Sequence, residues 1–90
     1  MKAVKLIIQG KVQDVGYRRW FEKEANILNL KGYVMNLPSG EVEAVVLGNE
    51  QDILEIIRHS YVGPLRSQVS SIEQIALPDL PNYHEFTMIR

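Results

Sequence analysis

Val4, Leu6 and Ile8 alternate with Lys5, Ile7 and Gln9. A two-residue period of this kind predicts a strand with one buried face and one partly polar face. Gly10 is expected to end it, and a loop follows from Lys11 to Tyr17 with a second glycine at position 16. From Arg18 to about Leu30 the period lengthens. Phe21, Ala25 and Leu28 fall at i, i+4 and i+7 with Trp20 beside them, while Glu22, Lys23, Glu24 and Asn26 lie largely off that stripe. The pattern predicts an amphipathic helix. Lys31-Gly32 is expected to close it, because glycine is at ease in the left-handed conformation that commonly ends a helix.

Two strand-like runs, Tyr33–Leu37 and Glu41–Leu47, flank Pro38-Ser39-Gly40 and predict a β-hairpin. Val42, Ala44 and Val46 share one face of the second run, and Gly48 ends it. Asn49 is a good N-cap for a second helix, and Asp52 falls in the first turn, where the helix dipole favours an acid. Ile53, Ile57 and Tyr61 share a face there, with Leu54 and Ile56 beside them, and Gly63-Pro64 stops the helix. Val69–Leu77 predicts a fourth strand, with Val69 and Ile72 its clearest apolar residues. Pro78 and Pro81 bracket a loop, and Glu85–Ile89 predicts a short last strand. The order β-α-β-β-α-β, with one more short strand, predicts an α+β ferredoxin-like sandwich. In that arrangement an antiparallel sheet carries two helices on one face and leaves the other face more open.

Composition narrows the class. Ninety residues leave room for one domain, residues 1–90, around one core. The absence of cysteine excludes disulfides, thiolate metal sites and a cysteine nucleophile. A formal net charge of −1, with acids and bases interspersed, argues against a nucleic-acid partner, which usually calls for a basic excess. No segment is long enough to span a bilayer, and the first residues lack a secretory pattern. The expectation is a cytoplasmic monomer with no membrane contact.

The loop before the first helix holds the clearest chemistry. A glycine-containing turn running into a helix N-terminus presents unpaired N–H groups and a positive dipole end, which suits an anion. Arg18 and Arg19 stand at that end, where the dipole disfavours cations by roughly 0.3–1 kcal/mol each. One of them facing a bound anion would account for this; both pointing to solvent at a tolerated cost would do so too. The loop is no Walker A motif, since its glycine spacing is one residue too long and no Lys-Ser or Lys-Thr follows. Asn36, just before the hairpin turn, reads on its own as a turn-favouring residue. His59 suits the C-terminal end of its helix. His59 and His84 have no metal-ligand spacing, and the serines lack a nucleophile-elbow context. Tyr17, Trp20 and Tyr33 read as core or rim.

The run Gly10-Lys11-Val12-Gln13-Asp14-Val15-Gly16-Tyr17-Arg18 resembles the acylphosphatase signature G-x-V-Q-G-V-G-F-R. Ala25, Leu28, Leu30 and Gly32-Tyr33-Val34-Met35-Asn36 resemble the family's second block, and Gly40-Glu41-Val42-Glu43-Ala44 and Gly48 continue it. Gly63-Pro64 and the closing Phe86-x-x-Ile fit the tail, so the likeness spans essentially the whole chain. The resemblance implies a ferredoxin-like fold and an enzyme that hydrolyses small acyl phosphates to carboxylate and phosphate; no residue pattern in the chain calls for a metal or other cofactor. It implies that Arg18 binds the phosphoryl group, that Asn36 positions the attacking water, and that backbone N–H groups of Asp14, Val15, Gly16, Tyr17 and Arg18 cradle phosphate oxygens. Phosphate or sulfate would occupy the same loop.

Asp14 stands where the family most often has glycine. If that position takes positive φ, aspartate tolerates it better than most residues. Met35 replaces a common basic residue, and Tyr17 replaces phenylalanine. These departures bear on efficiency. Two other readings compete: a non-catalytic acylphosphatase-like module that binds an anion or serves as an adaptor, and an RNA-binding domain with the same strand-helix order. The second is disfavoured because Val42–Leu47 has no aromatic residue on which a base could stack.

Overall fold

A computed structural model describes residues 1–90. The elements are β1 (Lys2–Lys11), α1 (Tyr17–Ile27), β2 (Lys31–Asn36), β3 (Val42–Gly48), α2 (Glu50–Val62), β4 (Gln68–Ala76) and β5 (Phe86–Ile89). They form one five-stranded sheet in the order β4-β1-β3-β2-β5. β3 lies antiparallel between β1 and β2, and β4 runs antiparallel to β1. This is the expected ferredoxin-like sandwich, with one correction: the expected short last strand, β5, pairs parallel to β2 at the sheet edge, so the sheet is mixed and not wholly antiparallel. No helix is long and apolar enough to cross a membrane.

The core follows from the alternation. Leu6 and Ile8 of β1, Val34 of β2, and Val42, Ala44 and Val46 of β3 face the helices and are buried. Phe21 and Ala25 of α1 and Ile53, Ile56 and Ile57 of α2 close over them. Fully burying a side chain of this size contributes about 1.5–3 kcal/mol, and a chain without disulfides rests on that packing. Phe21 also meets Phe86 with ring centroids 5.6 Å apart, which holds β5 at the edge.

Four details depart from the sequence expectations. β1 continues through Gly10 to Lys11, with its register on β4 shifting between Gln9 and Gly10. The first helix ends at Ile27, and Asn29 (φ 58°), not Gly32, takes the left-handed position. Leu30 N–H bonds to Ala25 O and Asn29 N–H to Asn26 O, the paired closure of a Schellman motif. Gly32 lies within β2, where a Cβ would meet the Val45 carbonyl oxygen at 1.9 Å; the residue permits strand pairing and stops no helix. In α2 the buried face is Ile53, Ile56, Ile57 and Ser60, and Leu54 and Tyr61 are exposed. Finally, the sheet's outer face is less open than alternation suggests. Val45 is buried there between its cross-strand partners Lys5 and Tyr33, whose long side chains flank it.

The topology decides where a site can form. β1, β2 and β5 run in the same direction, so their C-terminal ends lie at one end of the sheet. The loop that leaves β1 enters α1 there, and β2 turns there into β3.

Candidate active site

At that end Gln13, Asp14, Gly16 and Arg18 from the loop and helix start, Asn36 from β2 and Arg90 after β5 line one cavity of about 290 Å³. That is near the lower limit for a small-molecule pocket.

The loop owes its shape to two left-handed residues, Asp14 (φ 62°) and Gly16 (φ 78°). Gly16 is the N-cap of α1, and with no side chain it offers no cap to the first turn. No acid stands in that turn either. The first N–H groups of a helix have no intrahelical acceptor, so α1 turns its unpaired donors and its positive dipole end toward the cavity. Asp14 does take a positive φ, the conformation that aspartate tolerates better than most residues in place of glycine.

Arg18 forms no ion pair. Its Nη1 donates to the Ile89 carbonyl at 2.8 Å, and Met88 N–H donates to the Glu22 carboxylate at 2.9 Å. The first turns of α1 and the end of β5 therefore grip each other. Asn36 Oδ1 is buried and has no hydrogen-bond partner. Leaving a buried polar atom unpaired costs about 1–3 kcal/mol, a cost that a bound polar group would remove.

Two loop residues expected to contribute only their backbone N–H groups give their side chains to the core. Val15 packs its side chain against the core. Tyr17 borders the cavity but is buried, stacks near Trp20 and Phe21, and donates its hydroxyl to the Ser60 carbonyl at 2.7 Å. Burial raises the Tyr17 pKa far above its ordinary value, with the Ser60 contact opposing; the phenol stays neutral and structural. The two histidines lie apart from the cavity, His59 between the carboxylates of Glu24 and Glu55 at 3.1 Å each. No group of three or more His, Cys, Asp or Glu side chains is arranged to hold a metal ion.

Sequence reasoning did not anticipate Met88 and Arg90 in the cavity lining. Parallel pairing of β5 on β2 brings them there, and nothing in the local pattern of the last residues encodes that pairing.

Comparison with known proteins matches this architecture. The family model of acylphosphatases matches residues 4–88. An acylphosphatase of Methanocella arvoryzae is 45% identical over 73 residues, covering 81% of this chain and 83% of its own length. One from Bordetella parapertussis is 35% identical over 89 residues, covering 99% and 95%. The crystal structure of acylphosphatase from Bacillus subtilis superposes with a TM-score of 0.97 at 29% identity, each chain fully covered. A match over nearly the full length, joined to a cavity at an uncapped helix start, leaves one assignment: the chain belongs to the acylphosphatase family.

Proposed function

We propose that the protein hydrolyses small acyl phosphates to carboxylate and inorganic phosphate. In this reading Arg18 and the N–H groups of Asp14–Arg18 hold the phosphoryl oxygens, and Asn36 orients the attacking water. The observation that carries it is the meeting of three features in one cavity: the unpaired Arg18 cation, the uncapped start of α1 and the orphaned Asn36 Oδ1. Family membership supports the activity.

Few groups are needed. The leaving group is a carboxylate, stable as an anion, so its departure calls for little help from an acid. Phosphoryl transfer generally passes through a loose transition state in which catalysis is mostly positioning and charge stabilisation. A guanidinium binds two phosphate oxygens at once, and preorganised N–H donors add to it where charge develops. Asn36 Oδ1 accepts a hydrogen bond from the water without taking its proton. The water oxygen bonds to phosphorus, the phosphorus–oxygen bond to the acyl group breaks, and the proton passes to a phosphate oxygen. Inorganic phosphate, the product, is expected to bind in the same loop, and sulfate to compete with it. All these groups come from one chain, so a monomer suffices for the proposed chemistry.

Hydrolysis of benzoyl phosphate in ¹⁸O-water with EDTA present tests the scheme. Label found in phosphate, at undiminished rate, is the expected result. Label found in benzoate would mean attack at the acyl carbon and would remove the roles given to Arg18 and Asn36.

A further inference from the structure

Gln13 makes the one side-chain link between the phosphate loop and the turn that follows Asn36. Its Nε2 donates to the Leu37 carbonyl at 2.9 Å and to the Glu41 carbonyl at 2.8 Å. A primary amide has two N–H donors, and both are used. The two carbonyls also close the hairpin turn: Leu37 O accepts from Gly40 N–H, and Glu41 O accepts from Leu37 N–H. Gln13 therefore completes the hydrogen bonding of both. Leu37 directly follows Asn36 in the chain, and Gln13 and Asn36 line the same cavity.

We propose that Gln13 is a positioning residue, which sets the distance between the phosphate loop and the Asn36 amide. A carboxylate in its place would face two carbonyl oxygens, and an apolar side chain would leave both short of a donor. Misplacement of a reacting group by about 1 Å can cost about 10²-fold in rate, so a single tie across these two segments matters for turnover. The hairpin itself has other support. Gln9 Nε2 donates to the Glu41 carboxylate at 2.7 Å, so loss of the Gln13 tie shifts the turn without dismantling it.

The inference rests on the role given to Asn36 above, and the test separates the two. Benzoyl phosphate turnover and inhibition by inorganic phosphate are measured for the wild type, Gln13→Met, Asn36→Ala and the double variant. Gln13→Met keeps the length and loses the donors. The expected result is kcat about tenfold lower, with the phosphate inhibition constant within about twofold of wild type, since the loop that holds phosphate stays intact. In the Asn36→Ala background the same substitution should change kcat by less than about twofold, because the group it positions is gone. Equal losses in both backgrounds, or a parallel loss of phosphate binding, would overturn the positioning role. Full turnover in Asn36→Ala would instead overturn the role of Asn36. Should Gln13→Met fail to fold, Gln13→Glu decides. Its activity relative to wild type should rise as pH is lowered and the carboxyl regains a donor, and a flat ratio would contradict the inference.

Discussion

Arg18 Nη1 is held by the backbone carbonyl of Ile89, 2.8 Å away. A carbonyl orients the guanidinium without neutralising it, so the cation keeps its charge for an anion in the cavity. A carboxylate in that position would have competed with the ligand. The planar fork matters here, since one N–H edge serves the protein while the others remain free for phosphate oxygens. Arg18→Lys keeps the charge and loses this division of labour. It is expected to lower kcat/KM for benzoyl phosphate by about 10²-fold or more. Turnover near wild type in the lysine variant would contradict the assignment.

The strand that carries Ile89 is short and lies at an edge, so its placement depends on packing. Phe86 is buried against Phe21, and Glu22 accepts the Met88 N–H. Phe86→Ala should destabilise the fold by about 3–5 kcal/mol, read as a lower denaturant midpoint. Activity should fall even under conditions where the variant remains folded, because Arg18 loses its carbonyl partner. Unchanged activity per folded molecule would detach β5 from the site.

Asp14 puts a carboxylate in the lining of a cavity suited to anions, at a backbone conformation that glycine takes readily. Asp14→Gly should therefore fold as well as the wild type and bind phosphate more tightly. Removing one like charge near the site is worth about 1 kcal/mol at water-like screening, or about fivefold in the phosphate inhibition constant. Weaker phosphate binding in Asp14→Gly would show that the aspartate shapes the loop in a way glycine cannot.

Tyr17 gives a prediction at alkaline pH. Burial lifts its folded pKa well above the model-compound value of 10.0. The unfolded chain therefore releases this proton near pH 10 while the folded chain retains it. Stability is fully present below that pH and is lost as pH rises toward the folded value. Tyr33 is shifted the same way, by burial and then by its hydrogen bond to Glu43, so both residues contribute. Tyr17→Phe should cost about 1–2 kcal/mol near neutral pH through the lost bond to Ser60, yet show a shallower fall in stability above about pH 10. Denaturant titrations on either side of that pH provide the check, and an unchanged slope would contradict the assignment of the shift.

Much of the fold was legible because alternation and helical spacing report burial directly. Leu6 and Ile8, Phe21 and Ala25, and Val42, Ala44 and Val46 all face the core as their spacing requires. Boundaries were less legible where a left-handed residue other than glycine intervened, as Asn29 does at the end of α1. Tyr61 was drawn onto the buried face of α2 by its apolar ring, while the small Ser60 is buried instead, its hydroxyl bonded to the Ile56 carbonyl. For the site, the loop chemistry of Gly16 and Arg18 was visible locally, whereas Asn36 alone read as an ordinary turn residue. Only the sheet topology brings Asn36, Gln13 and Arg90 to one cavity, and such pairings between distant segments leave no periodic trace in the chain.

The most direct test is steady-state hydrolysis of benzoyl phosphate by the wild type and Arg18→Ala, each with EDTA and each verified as folded. Rapid turnover by the wild type and loss of about 10³-fold or more in the variant is the predicted result. A folded wild type with no rate above the uncatalysed reaction, or an Arg18→Ala variant as fast as its parent, would contradict a hydrolytic site built on Arg18.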